Sequence, residues 1–229
     1  GADAEILYSE WQSDRMIQQL REAIGAGVDG IAMMGHPGDE AIMPLAEMAS
    51  EAGIMMMYQN VDVPSVRAKY GGGYVGANLA TQGYALGLEA IRLFDLKPGD
   101  DAIVMVPIGD YSRAQREDNV RIAFEEHGMN VVVLDGTPEQ ATDPNSAIPV
   151  ISAALAANPD TKILVHTGGQ MLGNAEAFAM AAGYGPNELL QIGFDTSPQV
   201  MSGFVNGYAH LTSDQQPFLQ GYLPILSLC

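Results

Sequence analysis

The chain has 229 residues, enough for one or two domains with a real hydrophobic core. Hydrophobic residues make up 47% and charged residues 17%, too apolar for a disordered chain, while no single stretch is apolar enough for a membrane span. Ten basic against 28 acidic side chains give a net charge of −18, a field that repels phosphate backbones, so nucleic acid is not expected as a partner. The single cysteine, Cys229, can build neither an intrachain disulfide nor a thiolate zinc site. The opening Gly1-Ala2-Asp3-Ala4-Glu5 has no charged region, apolar region or cleavage site of a signal peptide, so any export signal is expected to be already removed or never present.

Along the chain, short apolar runs alternate with segments of helical period, the pattern of β-α units that cover both faces of a parallel sheet. The expected strands are Ala4–Tyr8, Gly30–Met34, Ile54–Tyr58, a short Tyr74–Gly76, Ala102–Pro107, Asn130–Leu134, Lys162–His166, Leu190–Phe194 and Tyr208–Thr212. Several are apolar without alternation, as strands buried on both faces are. Met16, Ile17, Leu20 and Ile24 form one helical stripe, and Ile42, Leu45, Met48 and Ala49 another. Ser197-Pro198 reads as a helix start, Ser as the cap and Pro in the first helical position. About five units follow Ala102 against about three before it, and the chain stops inside the apolar run 220–228. The expectation is therefore an α/β fold of two doubly wound parallel-sheet lobes, truncated at both ends.

In an open parallel sheet, ligands bind outside the carboxyl ends of the strands. The residues there are polar: Ser9-Glu10-Trp11, Gly35-His36, Gln59-Asn60, Ala77-Asn78, Gly109-Asp110-Tyr111, His166-Thr167, Asp195-Thr196 and Asp214-Gln215. Amides, hydroxyls, carboxylates and rings suit a polyhydroxylated ligand, whose hydroxyls both donate and accept while its C–H faces stack on aromatics. Polar residues are also the default of any β-α turn.

Signals for catalysis are weaker. No dinucleotide or phosphate-loop glycine motif is present, Thr167-Gly168-Gly169 lacks the lysine such a loop needs, and no nucleophile elbow occurs. His36, His127, His166 and His210 are scattered without metal-ligand spacing, so neither metal nor cofactor is expected. His36 is either a turn histidine or a ligand contact. His127, beside Glu125-Glu126 at a helix end, is expected in solvent, and Met55-Met56-Met57 reads as core strand.

Four segments, Gly27-Val28-Asp29-Gly30-Ile31, Ala52-Gly53-Ile54 leading to Gln59-Asn60, Tyr74-Val75-Gly76-Ala77-Asn78, and Gly193-Phe194-Asp195-Thr196-Ser197-Pro198, follow in an order that resembles the type I periplasmic sugar-binding proteins of ATP-driven importers, the ribose-binding cluster above all. The resemblance runs over essentially the whole chain, and its most specific element is Gly-Phe-Asp-x-Ser/Thr-Pro. It implies a monomeric, extracytoplasmic solute receptor, not an enzyme, that clasps a neutral monosaccharide or polyol between two lobes and delivers it to a membrane permease. The lobes would be residues 1–76 with 216–229, and residues 77–215.

Position by position, the resemblance puts Asp195 on sugar hydroxyls and brings Arg116 to the ring oxygen from the far lobe. It makes Gln215 a ligand amide at a crossing, sets Thr167 in place of the usual Asn, and sets Asn60 in place of the usual Asp. Val61 replaces the arginine of that Asp-Arg pair, which points away from ribose itself. Trp11, Tyr58 and Tyr111 stand in for the family's aromatics by position only. Asp195 could instead cap the helix at Pro198, although Ser197 is nearer. Glu117 and Asp118 are too close in sequence to be expected to face Arg116 across a helix turn. Two other readings share the fold class: the sensor domain of a lactose-repressor-type transcription regulator, and an enzyme acting through Asp195, Arg116 and His36.

Overall fold

The computed structural model describes residues 3–108 and 111–229, with the side chains of Tyr111 and Ser112 also outside the description. The chain divides into two compact units, one running to Ala77 and resuming at Gln216–Cys229, the other Asn78–Gln215. Among the described residues, no helix is long and apolar enough to cross a membrane.

The first unit is built from α1 (Ser13–Ala26), β1 (Gly30–Met34), α2 (Gly38–Glu51), β2 (Met55–Gln59), α3 (Pro64–Tyr70) and β3 (Gly73–Val75). The three strands are parallel in the order β1-β2-β3, with Gly30 opposite Met55 and Met57 opposite Gly73. The expected stripes face inward except at Met48, which is exposed: Leu20 and Ile24 from α1 and Ile42, Leu45 and Ala49 from α2 pack around Tyr58, Val63 and Val66. Each fully buried aliphatic side chain contributes about 1.5–3 kcal/mol. The last helix of the chain, Pro217–Leu228, belongs to this unit and packs on its sheet, with Leu228 seated against Gly30.

The second unit continues with α4 (Leu79–Phe94), β4 (Asp101–Pro107), α5 (Tyr111–Glu126), β5 (Asn130–Gly136), α6 (Pro138–Thr142), a 3-10 turn, α7 (Ile148–Ala157), β6 (Thr161–Val165), α8 (Gly169–Leu172), α9 (Ala175–Ala181), β7 (Leu190–Phe194), α10 (Pro198–Asn206) and β8 (Leu211–Ser213). Its sheet is all parallel with order β5-β4-β6-β7-β8. β4 shows why the strands lack alternation: Ala102 and Val104 join a core with Leu86, Val120 and Phe124, while Ile103 and Met105 join another with Ile151, Leu155 and Phe178. Apolar side chains are needed on both faces, which is the doubly wound arrangement.

Four expectations need correction. Residues 4–8 form no strand, and Ile6, Leu7 and Tyr8 are exposed; a strand exists only through a paired neighbour, and no described strand pairs with this segment. The last strand starts at Leu211 rather than Tyr208, because Tyr208 and Ala209 turn into the core against Val200 and Gly203. Met55 opens β2 half exposed, so the methionine run is a strand only partly in the core. His127 is not in open solvent: its Nε2 lies 2.9 Å from the Leu96 carbonyl, fastening the end of α5 to the turn after α4.

Candidate functional site

The strand order of the second unit reverses between β4 and β6, since the chain leaves β4 toward β5 on one side and crosses to β6 on the other. The loops at the carboxyl ends of these two strands therefore diverge and open a crevice. The start of α5 follows β4, and Thr167-Gly168 follows β6. Helix α5 is held here by close contact with α4: a Cβ on Gly83 would lie 1.8 Å from the Arg116 carbonyl oxygen, and one on Gly87 would lie 2.7 Å from the Ala123 Cβ. Only glycine permits that approach.

Four charged groups converge at this point. Arg116, fully buried, donates from Nε and Nη2 to Glu117 Oε1 at 3.2 and 3.1 Å, and from Nη2 to the Thr167 carbonyl at 3.1 Å. Arg113 donates from Nη2 to the same carbonyl at 2.7 Å, and from Nη1 to both Glu117 oxygens at 3.0 and 2.8 Å. The Arg116 guanidinium carbon sits 3.8 Å from the centroid of the Phe194 ring. A Cβ on Gly168 would lie 3.8 Å from Arg116 Nη2, 3.9 Å from Asp195 Oδ2 and 4.0 Å from Arg113 Nη2, so Gly168 is the floor on which the three meet. Its backbone, φ +157° and ψ −179°, lies in a region essentially reserved for glycine.

Burial and the neighbouring Arg113 charge draw the Arg116 pKa down to about 10, with Glu117 and Asp195 acting in the opposite direction. Two buried polar atoms of the cluster, Arg116 Nη1 and Asp195 Oδ1, have no hydrogen-bond partner among the described residues. One is a charged donor and the other a charged acceptor, the complement of a hydroxyl group. Asp195 does not cap α10. Ser197 does, accepting from Val200 N at 3.1 Å, while Asp195, at φ +66°, is tied to β8 through its backbone.

Three other expected site residues gather in the first unit at the ends of β1 and β2. His36 and Asn60 are buried, with His36 Nε2 2.9 Å from Asn60 Oδ1, and the Trp11 ring lies 5.5 Å from the His36 ring. Asn60 Nδ2 donates to Gln220 Oε1 at 3.1 Å, and Tyr74 donates its hydroxyl to the Asn60 carbonyl at 3.0 Å. Asn60 thus joins β2 to the last helix, and it tolerates its left-handed φ of +64° better than most residues. Its side chain is engaged inside the unit on both ends.

The remaining expectations divide. Thr167 takes part through its carbonyl, not its hydroxyl. Gln215 is partly buried at the last residue of the second unit. The Tyr111 side chain, Gly109 and Asp110 lie outside the described residues. Arg116 and Asp195 belong to one unit, as the expected bounds 77–215 already place them, so Arg116 does not approach from a lobe opposite Asp195. Glu117 does face Arg116, despite being its neighbour in sequence, with Arg116 Nη2 3.1 Å from Glu117 Oε1. Arg113, Glu117 and Phe194 were missed; the Arg113–Glu117 spacing of four on a helix was the available signal. His166 turns away from the strand end into the core, stacked 5.4 Å from Phe178 with Nε2 2.9 Å from Gln191 Oε1. Among the described residues no group of three or more His, Cys, Asp or Glu could hold a metal ion.

A doubly wound unit with a polar charged cluster at its topological switch point is an α/β protein with a candidate ligand site where such folds place one. The chain belongs to the periplasmic binding protein domain family, whose model matches residues 1–229, and the resemblance read from its sequence is borne out at that level. It is 27% identical, in an alignment of 226 positions that covers 93% of this chain, to the xylose/arabinose-binding protein XylF of Sulfolobus acidocaldarius. The chain spans about half, 54%, of that relative. Among solved structures, the ABC transporter periplasmic solute binding protein of Actinobacillus succinogenes with bound D-allose superimposes with a TM-score of 0.81 at 22% identity, over 98% of this chain and 78% of that one. A putative LacI transcriptional regulator from Bacteroides fragilis superimposes with a TM-score of 0.77 at 17% identity, over 97% and 75%. These likenesses establish the fold.

Proposed function

We propose that the chain is the solute-binding component of an ABC-type importer, acting outside the cytoplasmic membrane as a monomer, and that it binds a neutral monosaccharide or polyol for delivery to a membrane permease without transforming it. The observation that carries this reading is the pair Arg116 Nη1 and Asp195 Oδ1, buried and without partners among the described residues, at the switch point of the second unit. Leaving a charged donor and a charged acceptor desolvated costs several kcal/mol together, and a ligand hydroxyl that accepts from one and donates to the other recovers it. Phe194 buttresses the arginine, Gly168 leaves room above it, and the Thr167 carbonyl holds both arginines in place. In the first unit, Trp11 offers a ring face beside His36, and Asn60 orders that histidine. Family membership and the sugar names of relatives support the same ligand class.

The likeness to a transcription regulator supports a second reading, a sugar-sensing domain. The net charge of −18 disfavours it. Calorimetric titration with D-xylose, L-arabinose, D-allose and myo-inositol, followed by mass analysis of the recovered ligand, tests the proposal. Binding with the ligand returned unchanged supports a receptor; a chemically altered ligand points to an enzyme instead.

A further inference from the structure

Glu117 is fully enclosed and sits between two arginines, accepting from Arg113 on both oxygens and from Arg116 twice on Oε1. Around Gly168, the described side chains therefore carry two guanidinium charges, Arg113 and Arg116, and two carboxylate charges, Glu117 and Asp195. They sum to zero. Glu117 is the carboxylate that these two guanidinium groups share, and without it a ligand carboxylate could take its place on them. With it, an incoming carboxylate meets cations already neutralised and the Asp195 charge besides, in a desolvated setting where like charges repel strongly.

We propose that Glu117, paired with Arg113, is the specificity-determining residue that makes this site choose a neutral polyhydroxylated ligand over a sugar carrying a carboxylate; this rests on the receptor reading above. A hydroxyl satisfies Arg116 Nη1 and Asp195 Oδ1 without disturbing the balance, whereas an acid sugar brings a charge with no counterpart. The effect is local. The overall charge of −18 also repels anions, but that long-range part is screened by salt, and the buried balance is not.

The test is titration of the wild type, Glu117→Gln and Asp195→Asn with D-xylose, D-allose and myo-inositol as neutral probes and D-glucuronate as the acid probe, at low and high salt. The wild type should bind a neutral probe and prefer it to D-glucuronate by at least about tenfold. Glu117→Gln should raise the relative affinity for D-glucuronate at least about tenfold, and the gain should persist in high salt. Asp195→Asn removes the same unit of charge at a half-buried strand end, and, since Asp195 also meets neutral ligands, it is read by the absolute affinity for D-glucuronate, which should rise even if the Glu117 variant does not fold. A folded Glu117→Gln with the wild-type preference overturns the inference alone, as does an Asp195→Asn that leaves the affinity for D-glucuronate unchanged when Glu117→Gln is unfolded. A wild type that binds none of the probes overturns the receptor reading and this inference with it.

Discussion

Arg116 stands over Phe194, with its guanidinium carbon 3.8 Å from the ring centroid, and both side chains are fully buried. The ring belongs to the last residue of β7 and the arginine to α5, so this contact joins the helix that carries the buried donor to the strand end just before the buried acceptor, Asp195. A desolvated cation over an aromatic face contributes about 2 kcal/mol. Phe194→Leu keeps an apolar side chain but removes the face. It should lower the stability of the second unit by about 2 kcal/mol in urea unfolding and weaken ligand binding several-fold, since Arg116 loses its seat. An unchanged midpoint and affinity would show that the ring only fills space.

The buried His166 sets a pH dependence. Burial lowers its pKa from 6.5 to about 4, opposed by the hydrogen bond with Gln191. Folding therefore favours the neutral ring, and the unfolded chain binds the extra proton. This contribution is complete above the unfolded value of 6.5, is lost as pH falls toward the folded value of about 4, and amounts to about 3 kcal/mol. His210, also lowered chiefly by burial, acts in the same direction. His166→Gln should flatten the decline of the urea midpoint over that interval relative to the wild type; parallel curves would contradict the assignment.

Gly168 has room for a methyl group, with the nearest atoms 3.8 to 4.0 Å away, but its backbone at φ +157° is one that a non-glycine residue rarely adopts. Its conformation costs a non-glycine residue about 1–3 kcal/mol, and a methyl group there would stand among Arg116, Arg113 and Asp195. Gly168→Ala should reduce both thermal stability and affinity. Loss of neither would remove Gly168 from the account.

Asn60 and Ser197 should act on stability. Asn60→Ala deletes the acceptor facing His36 and the donor to Gln220, which costs about 1–3 kcal/mol in the first unit. Ser197→Ala deletes the cap of α10 at about 1 kcal/mol. A melting curve distinguishes these losses from a loss of affinity: Ser197→Ala with a normal melting temperature would contradict the capping role.

Much of the fold was legible because its determinants are local. Gly30–Met34 and Leu190–Phe194 are apolar runs bounded by turns, and the α1 stripe of Met16, Leu20 and Ile24 repeats at helical spacing. Residues 4–8 have the same composition as a strand, but pairing is a property of neighbours distant in sequence, and none flanks them among the described residues. Within the candidate site, Asp195 and Arg116 stand out by position after a strand and at a helix start. What the sequence did not show is where long side chains bend. Arg116 reaches its adjacent residue Glu117, Thr167 contributes its carbonyl, and His166 points inward although it follows a strand. Asn60, expected to face a ligand, has its amide drawn to Gln220, a residue 160 positions away.

The most direct measurement is calorimetric titration of the wild type and Asp195→Ala with the neutral sugar or polyol that binds, alongside thermal melts of both without ligand. Removing a charged acceptor from a desolvated site costs about 1.5–3 kcal/mol for each hydrogen bond. The account predicts an affinity lowered roughly ten- to a hundredfold for each lost bond, with the melting temperature of the free protein unchanged, because Ser197 and not Asp195 caps α10. An unchanged affinity together with a lowered melting temperature would contradict it, and would make Asp195 a structural residue of the β7–α10 turn.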